Sequence, residues 1–419
     1  MREYTPGYVA RCPEQAVPQV QSVLAKLTLC RTAGLGEHVF RCPECDFRLH
    51  VPNSCVDRHC PLCSGARRAE WLTKRAELLL PKITYFQVVF TLPELLWGLM
   101  LGNRRETYGL LFRAAWAALG EVLREELGCE PAALLVLHTW NQRLEHYPHL
   151  HGLVPGGGPS LAGQRWVASR HRRQRRRRKP FLVDNQVLGA RFRTKFLSGL
   201  RRLHRKGNLK LTGSWSRMQE PGVWESWLKS LATADWVVYV QPPPDEKMSP
   251  EQVLKYLARY LTGGPISDRR LLAHEDGWVT FWARSRDKRR GNPQEPCRLS
   301  GVEFTRCWAL HILPKGFVKS RAYGGYSGRN RAAYLARCRE LLGVTTAEQT
   351  PLPTPGDEVA EAAAHVCPHC QTPLECLAHT PRPSWRDVFG SGARPAWYEP
   401  FRRRAARRVS RPSDIPPDG

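Results

Sequence analysis

Apolar residues crowd the run Tyr85-Phe86-Gln87-Val88-Val89-Phe90-Thr91-Leu92, and its β-branched and aromatic content predicts a strand. From Thr107 to Leu127 the spacing changes. Leu110, Leu111, Ala114, Ala117, Ala118, Val122 and Leu123 recur at three and four, which predicts a helix with Gly128 as its stop. Strands return at Ala133 to Trp140 and His149 to Val154, closed by the turn-forming Pro155-Gly156-Gly157-Gly158. Farther on, Ser249-Pro250-Glu251-Gln252 reads as a helix start, with Ser249 as N-cap, Pro250 at the first helical position and Gln252 completing a capping box. That helix runs through VLKYLARYL and stops near Gly263. Val253, Leu257 and Leu261 form its core stripe, so Tyr256 and Tyr260 share the face at the stripe's edge while Lys255 and Arg259 lie outside. Texture divides the chain into three: a cysteine-rich module over residues 1–78, a main globular body over 79–345, and a Pro- and Arg-rich stretch over 346–419 expected to be a flexible basic tail. There is no internal repeat.

Charge narrows the partner. Among 419 residues, 64 Lys plus Arg against 38 Asp plus Glu leave a net charge of +26 and a pI near 10.0, which argues against an ordinary neutral metabolic enzyme. Interleaved with 14 Trp and 12 Tyr, this excess points to a polyanion, nucleic acid before a membrane surface. The 42% of hydrophobic residues excludes wholesale disorder. Apolar stretches such as Leu95 to Leu101 fall far short of the roughly 20 residues of a membrane span. The start, MREYTPGYVARCPEQ, lacks an apolar signal core, so the chain is expected in the cytoplasm, associated with the nucleoid, its 14 cysteines serving as thiols or metal ligands. The run HRRQRRRRK, His171 to Lys179, repels itself and reads either as a solvated loop or as a loop ordered by DNA phosphates on Arg172, Arg173, Arg175 and Arg176.

The strongest local signal is CPEC, Cys42 and Cys45, followed by SCVDRHCPLC with Cys55, His59, Cys60 and Cys63. Two Cys-x-x-Cys knuckles can present four thiolates to one tetrahedral Zn²⁺, and residues 46 to 59 between them fall just short of the usual spacing of about 15 to 20 residues. Cys42, Cys45, Cys60 and Cys63 are therefore the expected ligands of a structural zinc site. Cys55 and His59 are left over. Either they replace a knuckle member or they join Cys30 and His38 in a second interleaved site, and spacing does not separate these options. The plainer alternative makes His38 and His59 polar surface residues. A later CPHC, Cys367 and Cys370, followed by Cys376 and His379, permits another small knuckle.

In LHTWNQRLEHYPHLHGLVPGGG, His149 and His151 flank Leu150. Residues two apart on a strand point to one face, so both imidazoles can bind one cation while Leu150 enters the core. Taken alone, such a pair is more often a hydrogen-bonded surface pair. A divalent ion needs a third protein ligand, for which Gln142 is taken here and His146 and His138 are also candidates. Imidazole with amide or carboxylate and open positions fits Mg²⁺ or Mn²⁺ on a phosphate oxygen. Two tyrosines in isolation are likewise more often amphipathic residues with wet hydroxyls.

The cysteine module, FTLP (Phe90 to Pro93), HTW before HLH, PGGG after it, YLARY, and HILPKGFVKSRAYGG (His311 to Gly325) occur in this order. Together they resemble the rolling-circle insertion-sequence transposases, the two-tyrosine HUH family of the insertion sequence ninety-one type, over about residues 20 to 330. The resemblance implies an α+β fold: an HUH-type antiparallel sheet with packed helices, related to RNA-recognition and palm domains, behind a small zinc-ribbon-like domain. It implies Mg²⁺ or Mn²⁺ on His149 and His151, Tyr256 and Tyr260 as paired nucleophiles, and structural Zn²⁺ in the N-terminal module. The implied activity is cleavage and rejoining of single-stranded DNA at transposon ends through a 5′-phosphotyrosine. The implied partners are single-stranded and hairpin DNA at those ends and target DNA, with assembly as a homodimer left open. The family usually has histidine where Tyr147 stands, which leaves a third ligand from that position in doubt. Two readings compete: a replication initiator or relaxase using the same chemistry, and a non-enzymatic zinc-dependent nucleic-acid-binding protein. The second predicts that replacing both tyrosines by phenylalanine changes nothing.

Overall fold

The computed structural model describes residues 1–76, 78–174, 177–241, 252, 264–287, 291, 293–344, 365–390 and 394–398. An N-terminal module contains α1 (Thr5–Arg11), α2 (Pro18–Leu29), β1 (Glu37–Arg41), β2 (Arg48–Pro52) and α3 (Ser64–Ala76). The body follows with β3 (Tyr85–Phe90), α4 (Trp97–Gly102), α5 (Arg104–Val122), β4 (Ala132–Trp140) and β5 (His146–Pro155). Next come β6 (Gly157–Pro159), β7 (Trp166–Ala168), β8 (Arg170–Gln174), β9 (Arg177–Phe181), α6 (Asn185–Arg205), α7 (Pro221–Thr233) and β10 (Val238–Gln241). The remaining elements are β11 (Leu271–Glu275), β12 (Trp278–Arg284), β13 (Gln294–Ser300), α8 (Gly301–Ala309), β14 (Ser320–Gly324), α9 (Arg331–Leu341), β15 (Glu375–His379) and α10 (Trp385–Gly390).

The strands expected from the sequence form the centre of a five-stranded sheet ordered β10-β3-β5-β4-β14, every neighbouring pair antiparallel. The class is α+β, as expected. On one face Phe86, Val88, Phe90, Leu135, Leu137, Leu150 and Val154 pack under α5 and α6 in the largest hydrophobic core. On the other face Tyr85, Leu134, Val136 and Leu153 meet Tyr334 and Leu335 of α9 and the buried segment Leu78 to Leu80. The predicted helix at 107–127 starts at Arg104, closes with a π-type turn over Leu123–Leu127, and ends at Gly128 in the left-handed conformation. Asp184 caps α6 by accepting from the N–H groups of Gln186 and Val187 at 2.8 and 3.3 Å. No helix among the described residues is long and apolar enough to cross a membrane.

Two expectations change, and the structure adds a sheet. The arginine run is not an irregular loop: β8 and β9 pair antiparallel, Arg172 opposite Lys179 and Arg173 opposite Arg178. Arg172 also pairs with Asp184 at 3.5 Å, whereas Arg175 and Arg176 lie outside the described residues. The stretch after 345 is not uniformly a tail. Strand β15 pairs with β1, and Val388 and Phe389 of α10 enter a core with Val20 and Leu24 of α2. Finally, a second antiparallel sheet, β11-β12-β13, packs through Val279, Phe281 and Ala283 against Phe304 and Cys307 of α8. The helix expected at 249–263 lies outside the described residues, apart from Gln252.

The glycines of PGGG and AYGG are packing devices. A Cβ on Gly158 would stand 2.5 Å from the carbonyl oxygen of Glu130. Gly324, at φ +59°, leaves no room before the carbonyl of Pro131. Gly324→Ala should therefore destabilise the chain by about 1 to 3 kcal/mol, measured from urea midpoints, and an unchanged midpoint would contradict this packing.

Candidate active site and metal centres

Strand β5 is central in the sheet, and its alternation sorts its side chains. His146 and Leu150 face α5, where the Tyr108 hydroxyl lies 2.7 Å from His146 Nε2. Tyr147, His149 and His151 face the other way. Directly across the ladder, β4 places His138 opposite His149, so three imidazoles converge: each offers one nitrogen, all within 4.8 Å of one another. Nε2 of His149 and Nε2 of His151 are 3.1 Å apart. The His149 Nδ1–H donates to the Tyr147 carbonyl at 2.8 Å, which reserves Nε2 as a lone-pair donor. The carboxamide of Gln87, on β3, hydrogen-bonds Nδ1 of His151 at 2.9 Å, an outer contact of the kind that orients metal-bound imidazoles.

Burial keeps His149 and His151 uncharged. Desolvation lowers His149 to about 4 and His151 to about 3, the latter helped by His149 and by the Lys319 ammonium. Lys319 itself sits 5.0 Å above the Trp140 ring. Neutral imidazole is the ligating form, so the three nitrogens suit a divalent cation with positions left open for oxygen ligands. Of the expected third ligands, Gln142 is elsewhere. It lies in the turn between β4 and β5, and its side-chain oxygen accepts from Gln294 at 3.0 Å. His146 is on the opposite face, and the third imidazole is His138. The Tyr147 ring packs edge-on to Trp97 and 4.9 Å from the His149 ring. Tyr256, Tyr260, Lys255 and Arg259 lie outside the described residues.

The cysteines divide differently from the ribbon expected between Cys42, Cys45, Cys60 and Cys63. Cys60 and Cys63 converge with Cys30 and Cys55, while Cys42 and Cys45 converge with Cys367 and Cys370. In the first set Cys55 and Cys63 sulfurs are 3.6 Å apart and Cys30 and Cys60 sulfurs 3.5 Å, close to the edge of about 3.8 Å that Zn–S bonds of about 2.3 Å give a tetrahedron. β1 and β2 form a hairpin whose far end turns through Cys42 and Cys45, away from the segment of Cys55 to Cys63. That separation is why the two knuckles do not meet.

His59 is neither ligand nor surface residue. Its Nδ1 lies 2.8 Å from the Asp57 carboxylate and its Nε2 accepts the Leu313 N–H at 3.2 Å. Arg58 donates to the carbonyls of Phe317 and Pro314 at 2.6 and 3.3 Å. The residues between the cysteines thus join the module to the loop that leads into β14. His38 stacks on His379 with ring centroids 4.1 Å apart and takes no part in either thiol cluster. Gln87 and the pairing of Cys42 with Cys367 are the features that periodicity and spacing did not single out, whereas His138 stood among the third-ligand candidates and Cys30 among the partners for Cys55. For His138 the available signal was its parity: it is two residues before Trp140 on a strand expected to neighbour HLH.

Residues 133–333 match the family model described as "Putative transposase", and residues 1–92 match the one described as "Transposase zinc-binding domain". A Sinorhizobium fredii protein named "Putative transposase y4qJ" is 39% identical over 379 residues, covering 88% of this chain and 91% of the relative. A Pseudomonas savastanoi pv. phaseolicola protein named "Transposase for insertion sequence element IS801" is 27% identical over 335 residues, covering 80% of this chain and 76% of the relative. No solved structure matches.

Metal titration checks the imidazole site. Gln87→Ala should weaken Mn²⁺ binding about 10- to 100-fold, and His138→Ala should weaken it at least as much. Because both β5 histidines have pKa values depressed to about 4 or below, they stay neutral as pH falls through 6.5, so the wild-type site should still bind Mn²⁺ at about pH 5.5. Loss of binding between about pH 7 and 6, the range of an exposed histidine, would contradict the geometry.

Proposed function

The chain belongs to the transposases of the insertion sequence ninety-one type with an N-terminal zinc-binding domain, and from that premise we propose that it cleaves and rejoins single-stranded DNA through a phosphotyrosine. The observation that carries the reading is the convergence of His138, His149 and His151 on the face of the central strand, backed by Gln87. A divalent cation held there would polarise a phosphodiester oxygen and stabilise charge in the transition state. Three nitrogen donors favour Mn²⁺ over Mg²⁺, which prefers an oxygen shell.

Tyr256 or Tyr260 supplies the nucleophile. Its phenolic oxygen bonds to phosphorus, the bond from phosphorus to the 3′ oxygen breaks, and the phenolic proton is lost as the 3′-hydroxyl gains one. The phosphotyrosine keeps the energy of the broken bond, so a 3′-hydroxyl from another strand reverses the step and joins new DNA without nucleotide hydrolysis. Two tyrosines allow one to hold a transposon end while the other opens the next end or the target. A cleft lined by Lys26, Arg58 and Lys315 beside the zinc-binding module, with Lys319 toward His151, supports a backbone track into the site. Arg113, Lys195, Arg201, Arg202 and Arg205 line a second basic groove between α5 and α6.

Labelled single-stranded oligonucleotides tiling an element's ends, incubated with Mn²⁺ and resolved by denaturing gel and peptide mass spectrometry, test this. The expected product is a covalent adduct on Tyr256 or Tyr260 that chelator abolishes. Tyr256→Phe with Tyr260→Phe should remove it, and His151→Ala should lower its rate by about 100-fold or more while DNA binding persists. Unchanged cleavage by the double phenylalanine variant would end the proposal, and binding without an adduct under any metal would favour a DNA-binding module.

A further inference from the structure

The second thiol cluster joins parts of the chain that are far apart in sequence, and it lies outside the strand-cleaving machinery. The Sγ atoms of Cys42 and Cys370 are 3.4 Å apart, those of Cys45 and Cys367 3.4 Å, and those of Cys45 and Cys370 3.9 Å. All four fall within 4.8 Å of one another. Such spacings fit four sulfurs around one ion, for which the tetrahedral edge is about 3.8 Å. They are too short to surround a multinuclear iron–sulfur cluster and too long for disulfides, whose S–S bond is about 2.05 Å.

The backbone repeats the same turn on both sides. In the first knuckle the Cys42 N–H donates to the Phe47 carbonyl at 2.8 Å and the Asp46 N–H to the Cys42 carbonyl at 3.1 Å, with Asp46 at φ 58°. In the second, the Cys367 N–H donates to the Thr372 carbonyl at 2.8 Å and the Gln371 N–H to the Cys367 carbonyl at 2.9 Å, with Gln371 at φ 61°. Two segments of different sequence thus take one conformation, each presenting a pair of thiols to the other. Asp46 and Gln371 adopt a left-handed backbone that is uncommon away from glycine, which a bound metal would repay.

The strand next to this joint is held by backbone pairing rather than by side-chain burial. Strand β15 pairs with β1, His38 opposite His379, yet every residue of β15 is exposed, so burial of its side chains contributes little to the pairing. Beyond it, Trp385, Val388 and Phe389 reach the core formed with α2. We propose that Cys42, Cys45, Cys367 and Cys370 bind a second structural zinc ion, distinct from the one in the Cys30, Cys55, Cys60 and Cys63 set, that clamps residues 365–390 onto the N-terminal module. Soft thiolates alone select Zn²⁺ over the hard cations suited to the imidazole site. Closing so long a loop restricts the unfolded chain and makes the C-terminal segment part of the N-terminal module.

Elemental analysis of the full chain, purified under reducing conditions, decides the matter. Wild type should carry two zinc ions per chain, and Cys367→Ser with Cys370→Ser should carry one, with faster amide hydrogen exchange over residues 365–390 and unchanged exchange over residues 55–63 of the other thiol set. One zinc in the wild type, two in the variant, or iron in place of zinc would overturn the proposal. A second measurement needs no cysteine variant. With a protease site inserted between residues 346 and 364, the cut C-terminal piece should co-elute with the rest of the chain and separate once a chelator strips the metal. Separation while zinc is bound, or continued co-elution after complete removal of zinc, would refute the clamp.

Discussion

Side-chain alternation along β5 is the constraint on which the rest of this structure turns. A strand in the middle of a sheet must satisfy two faces at once, and β5 does so with residues of opposite character. Leu150 and Val154 enter the core beneath α5 and α6, while His149 and His151 stand on the other side with Gln87 and His138 from the adjacent strands. A slip of one residue would turn both imidazoles into the apolar core under α5 and α6 and put Leu150 on the face that now holds them. The register that stabilises the sheet is therefore the register that assembles the site, and one apolar core specifies both.

The surroundings of that site are arranged by contacts remote in sequence. The Asp57-Arg58-His59 segment between the cysteines grips the carbonyls and N–H groups of residues 313–317. The same stretch leads directly into β14, which pairs with β4 alongside His138. His311 adds a further tie: its Nε2–H donates to the Leu144 carbonyl at 3.1 Å and its Nδ1 accepts from the Thr139 hydroxyl at 3.2 Å. The zinc-binding module is thus attached to the edge of the five-stranded sheet by polar contacts, and Lys319 lies at this junction. Its charge is felt by both His59 and His151.

Several segments that look like chemical motifs serve the packing instead. In PGGG and AYGG, glycine is required because carbonyl oxygens of neighbouring segments occupy the space of a Cβ. Residues 170–174 and 177–181 of the arginine-rich segment pair as an antiparallel two-stranded ribbon. These features explain why an ordered set of short motifs identifies the chain better than any one of them: some carry ligands, others carry only the geometry that brings the ligands together.

Local periodicity was enough to determine the central strands, the helix after Asn103, the shared face of His149 and His151, and the pairing of thiols within each Cys-x-x-Cys knuckle. These depend on neighbours a few residues apart, where the backbone itself dictates direction. Only the tertiary structure decided which knuckle faces which, that His138 rather than Gln142 completes the imidazole cluster, and that His59 is a joint between modules. The first two are questions of which strands become neighbours. Antiparallel pairing of β1 with β15 and of β4 with β5 sets the answer, and such pairing links residues whose separation along the chain carries no trace of their contact.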